Sequence, residues 1–96
     1  MNTMSKAKPT KVPTMKRDQP YKNWRKELLI WQVTNSTLEV DKKVQGGVLF
    51  QSLEGIAHQI VLSELTVHDI TSEDGVDNII RTLDYFFMGD SMQITP

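Results

Sequence analysis

The residues able to do chemistry are few. The chain has two histidines, His58 and His68, and no cysteine. Without cysteine there is no disulfide framework, no thiolate metal site and no cysteine nucleophile. A catalytic histidine needs a nucleophile and an orienting carboxylate placed around it. Ser63, Glu64 and Asp69 lie nearby in sequence, and they make no recognised arrangement. The acids Glu73, Asp74 and Asp77 lack the alternating oxygen ligands of a calcium loop. They fit better as charges at the positive N-terminal end of a helix. Gly46-Gly47 is followed by no Gly-Lys-Ser/Thr, so it is not a phosphate loop. The expectation is a non-enzyme with no metal, no cofactor and no small-molecule substrate.

What remains is suited to contact. Residues 1–26 hold eight of the eleven Lys and Arg and one acid, Asp18, a net charge of +7. The other 70 residues carry three bases and eleven acids, a net −8. Lys6, Lys8, Lys11, Lys16 and Arg17 form the basic arm. They are candidates for nonspecific contact with nucleic acid or an acidic surface, and a plain solubilising tail is the competing reading. No aromatic residue sits among them to stack on bases. Tyr21, Trp24 and Trp31 are the most distinctive apolar feature. At i, i+3 and i+10 they share one helical stripe with Leu28, which serves either as core or as an interface anchor.

The elements that must position these residues read as helices. Residues 1–20 contain Pro9, Pro13 and Pro20 and little apolar content, so a disordered arm is expected there. A first helix is expected over about 21–34. Ser36 and Glu39 have capping-box spacing for a second, over about 41–52, with Val44, Val48 and Leu49 inward. Gly46 and Gly47 either break that helix or let another pack close. Gly55 precedes a third helix with Ile56, Ala57, Ile60 and Val61 on its apolar face. Residues 66–71 read as a connector with a short extended piece. A fourth helix, capped by Thr71 or Ser72, is expected over 73–87 from Val76, Ile79, Ile80, Leu83 and Phe87. Residues 88–96 read as a flexible tail. The expected class is all-α, a small four-helix bundle-like domain behind a disordered basic arm. No apolar run approaches the ~18 residues of a membrane span, and an intracellular, cytoplasmic protein is expected.

Three segments together carry a resemblance: YKNWRKELLIWQVTN, KKVQGGVLFQSLEGIAHQIV and SEDGVDNIIRTLDYFF. Their order and spacing resemble the N-terminal capsid lobe of retrotransposon Gag-like proteins, of copia-type and related elements. The matching residues are Tyr21, Trp24, Trp31, Lys43, Gly46, Leu53, Gly55, Ala57, Asp74, Gly75, Val76, Leu83 and Asp84. The resemblance covers residues 21–87. It implies a helical lobe that self-associates into a shell around nucleic acid, and hence a homo-oligomer. Family chains usually continue into a second helical lobe, and often a Cys/His knuckle, neither of which follows here; the chain is therefore expected to be a fragment or a repurposed gene. Two other functions fit the residues: a capsid-like adaptor binding partner peptides, and a small regulator contacting phosphates through the arm.

Overall fold

The computed structural model describes residues 7–94, with side chains placed for residues 7–88. The described residues form five helices and no strand: α1 (Tyr21–Thr37), α2 (Lys42–Ser52), α3 (Gly55–Glu64), α4 (Val67–Thr71) and α5 (Gly75–Ile94). The all-helical, bundle-like class expected from the apolar periodicity is the one observed.

Helix α1 begins directly after Pro20, whose carbonyl accepts from the N–H of Asn23 at 3.0 Å. Its buried stripe is Trp24, Leu28, Trp31 and Asn35, spacings of four, three and four that keep one face inward. It ends three residues beyond the expected boundary. Glu39 adopts φ 61°. The N–H of Val40 reaches back to Asn35 O at 2.9 Å, and that of Glu39 to Ser36 O at 3.1 Å. These two bonds make a Schellman C-cap with glutamate where glycine is usual. Ser36 and Glu39 therefore close α1 rather than open α2. The cap of α2 is Asp41, whose Oδ1 accepts from the N–H of Lys43 at 2.9 Å.

On α2 the inward residues are Gln45, Gly46 and Leu49, and Val44, expected inside, is exposed. Gly46 claims the contact face instead. A Cβ built on Gly46 would run into the carbonyl oxygen of Ile70 and come within 3.0 Å of Gly75 Cα; one on Gly75 would meet the same carbonyl. Two glycines thus let α2, α4 and α5 cross backbone to backbone. That crossing rotates Val44 outward. On α3, Ala57 and Val61 are buried while Ile56 is 71% exposed. The helix starts at Gly55 (φ 59°), and the neighbouring Leu53 supplies the buried apolar residue at that end.

Residues 67–71, expected as a connector, form the short helix α4. Thr66 Oγ1 accepts from the N–H of Asp69, and Asp69 Oδ2 from the N–H of Thr66, both at 3.0 Å. This reciprocal capping box is what holds one turn of helix. Helix α5 begins at Gly75 with Asp77 in its first turn, in line with the dipole role expected of the acids. It buries Val76, Ile79, Ile80 and Leu83, and its backbone continues through residues 88–94, which the periodicity left as a tail. The core is one cluster that draws on every helix: Leu28, Leu49, Val61, Ile70, Ile79 and Leu83 lie at its centre.

Candidate functional site

The N-terminal segment departs most from expectation. Residues 1–6, including Lys6, lie outside the described residues. Residues 7–20, expected to be disordered, are placed without helix or strand; the stretch around residues 10–13 lies against α1 as a strap, and a turn at 17–19 leads into the helix. Val12 is buried within the core cluster, and Met15 packs against it half-buried. Both tryptophans hold this strap by their indole N–H groups. Trp31 Nε1 donates to Thr10 O at 2.8 Å, and Trp24 Nε1 to Pro13 O at 3.0 Å. Beyond them, Asn35 Oδ1 accepts from the N–H of Thr10 at 3.0 Å. The strap therefore runs antiparallel to α1.

The match of lengths explains the fit. Trp24 and Trp31 are seven residues apart on a helix, about 10 Å at ~1.5 Å per residue. Thr10 and Pro13 are three apart in an extended chain, again about 10 Å at ~3.1–3.3 Å per residue. Pro9 and Pro13 bias the strap toward that extended form and lower its ordering entropy. A buried indole needs a hydrogen-bond partner, and the strap carbonyls supply one to each ring. Asn35 is fully buried, and among the described residues no acceptor reaches its Nδ2.

The strap carries its cations outward. Lys8, Lys11, Lys16 and Arg17 are all exposed, and so are Lys22 and Lys26 on α1. Docking thus leaves the strap's cations open to solvent. Arg25 differs. Its Nε and Nη2 grip Asp84 of α5 at 2.9 and 3.1 Å, and the hydroxyl of Tyr21 donates to the same carboxylate at 2.7 Å. Burial, then the hydrogen bond to Asp84, pushes the Tyr21 phenol well above its usual range. The hydrogen bond to Asp84 raises the Arg25 guanidinium further. Tyr21 also stacks on Phe87, ring centroids 5.0 Å apart. Of the expected aromatic stripe, Trp24 and Trp31 are thus buried under the strap, and half-buried Tyr21 fastens α1 to α5.

Two grooves flank this assembly. One, of about 540 Å³, lies between the strap and the α2–α3 junction and is lined by Met15, Lys16, Arg17, Trp24, Leu53 and Phe87 among others. The other, of about 500 Å³, has Leu29, Val33 and Val76 beside Glu73, Asp74 and Asp77. Along the exposed side of α1, Ile30 (60%) and Val33 (58%) stand open with Leu29. Sequence reasoning missed this second apolar side, although Leu29, Ile30 and Val33 were visible as apolar residues outside the stripe.

The histidines stay apart from any carboxylate cluster. His58 packs on the ring of Phe50 at 4.7 Å, and His68 is exposed. Among the described residues no group of three His, Cys, Asp or Glu is placed to hold a metal ion. No helix among them is long and apolar enough to cross a membrane. No protein-family model, curated protein or solved structure matches the chain.

Proposed function

We propose that the chain is a structural assembly protein, the capsid-like N-terminal lobe of a retroelement Gag, which associates with copies of itself in the cytoplasm and has no catalytic role. The observation that carries this reading is the second apolar side of α1. Leu29, Ile30 and Val33 are exposed on a helix whose opposite side already fills the core. A helix with one buried stripe needs polar residues outside it, so an outer apolar side calls for a cover. The order and spacing of the three Gag-like segments agree with it. Association is tested by light scattering across a concentration series. Wild-type chain is expected to form multimers, and Ile30→Lys with Val33→Lys to remain monomeric with unchanged helical circular dichroism. A wild-type chain that stays monomeric up to ~1 mM refutes the reading.

The strap favours one alternative. With Lys8, Lys11, Lys16 and Arg17 all exposed, the strap offers its cations to a phosphate backbone. A nucleic-acid-binding regulator would show affinity falling with salt, with a log–log slope near −0.9 per phosphate contact on duplex DNA. A monomer with that slope would favour the regulator over assembly.

A further inference from the structure

The face of α1 beneath the strap is a built receptor for an extended peptide. Its donors, Trp24 Nε1 and Trp31 Nε1, and its acceptor, Asn35 Oδ1, read the strap's main chain. The strap adds one buried side chain, Val12, between them. We propose that this receptor also takes residues 9–13 of a second copy, so that two chains exchange straps and each completes the other's α1 face. The proposal rests on the self-association reading and adds a second surface to it, on the side of α1 opposite Leu29, Ile30 and Val33.

Three observations support it. The first is that the strap contributes little to the core. The fully buried apolar side chains away from it, Leu28, Leu49, Val61, Ile79 and Leu83, all belong to helices. The strap is held by Val12, half-buried Met15 and the hydrogen bonds just named. Segments with so few buried contacts open at a free energy well below that of global unfolding.

The second is the connector. Thr14, Lys16, Arg17 and Asp18 are exposed. The chain reverses there through the bond from Gln19 N–H to Lys16 O at 3.3 Å, and the Gln19 side chain donates to Glu27 at 3.3 Å. An exposed turn of this kind is where a chain can open out and pass to a neighbour. Exchange of an identical segment costs little, because the same indole, amide and Val12 interactions form again between the two chains.

The third is charge. Within one chain the turn folds Lys16 and Arg17 back toward the α1 end that carries Lys22 and Lys26. Straightening the turn into a neighbour separates these like charges. The preference for exchange should therefore be strongest at low salt, where the Debye length reaches ~30 Å at 0.01 M, and weaken as salt rises. Against it stands the tether, which gives the chain's own strap an effective concentration on the order of millimolar. Exchange is thus expected only at high protein concentration, as inside an assembly.

The two tryptophans make the test specific. Full-length chains, isotope-labelled and unlabelled, are mixed in equal amounts at ~1 mM and low salt. Nuclear Overhauser contacts are then sought between the labelled indole N–H protons and unlabelled Val12 methyls. Exchange predicts such contacts between chains, fading on dilution and with added salt. Val12→Asp, whose strap cannot dock anywhere, should keep its helical circular dichroism and lose at least about tenfold in association. Multimers seen by scattering with indole–Val12 contacts only within chains would overturn strap exchange and leave self-association standing. Multimers of Val12→Asp as strong as wild type would do the same. A chain that stays monomeric under all these conditions would overturn both readings.

Discussion

Tyr21 and Asp84 show how a single residue pair fixes the register of two helices. The phenol and the Arg25 guanidinium meet one carboxylate from α1, and Gln32 reaches Asp77 seven residues earlier on α5 at 3.2 Å. The two contacts can hold together only if α1 and α5 run antiparallel. Because Tyr21 is held protonated by burial and by Asp84, its folded pKa lies above that of the unfolded chain, ~10. The stability it contributes is complete below pH ~10 and is lost as pH rises further. Thermal melts of Tyr21→Phe should show a loss of about 1 kcal/mol at pH 7. They should also show a shallower decline than wild type between pH 9 and 11, estimated from that same ~10. A decline as steep as wild type would place the alkaline sensitivity elsewhere.

At the scale of elements, the boundaries are decided by backbone positions with opposite tolerances. Glu39 holds φ 61° with a side chain present, a conformation that costs an L-residue roughly 1 kcal/mol or more. Glu39→Gly should therefore stabilise the fold, by about 0.5–1 kcal/mol after the greater freedom of an unfolded glycine is counted. Gly75 is the reverse case. Its missing Cβ makes room for the Ile70 carbonyl and for Gly46. Gly75→Ala forces backbone apart and should cost about 3 kcal/mol or more. Chemical denaturation of the two variants should move the midpoint in opposite directions. A destabilised Glu39→Gly would mean that the carboxylate makes a contact worth more than the strain.

For the whole molecule, the strap alters what truncation should do. A free arm could be removed at no cost. Removing residues 1–15 instead takes away Val12 and Met15, uncovers both indoles and leaves their N–H groups to water. The loss should be about 2 kcal/mol, a large share of the ~5–15 kcal/mol total of a small domain. The truncated chain should keep its helical circular dichroism and melt several degrees lower, with tryptophan fluorescence shifted to the red. An unchanged melt would mean that the strap adds nothing net.

The sequence alone determined the helical class, because apolar side chains recur at helical spacing over long windows and packing rewards that period whatever the partners. It determined the inward stripe of α1, the Val76–Leu83 face of α5 and the candidacy of Gly46 for a close helix approach. It also marked the site's aromatic members, Trp24 and Trp31, as core or interface. Only the tertiary structure decided which contacts fill the remaining space. Whether Ser36 and Glu39 open a helix or close one depends on where the chain turns, not on their spacing. Val44 and Ile56 face outward because a glycine crossing and Leu53 occupy the inner positions. Thr66 and Asp69 form a helix turn too short to leave a periodic trace. Above all, residues 7–20 have no periodicity and few apolar groups, so their own composition reads as unfolded. Their order comes from donors on another element, two indoles about ten ångströms apart by the geometry of a helix, and no local property of the strap records that those donors are waiting.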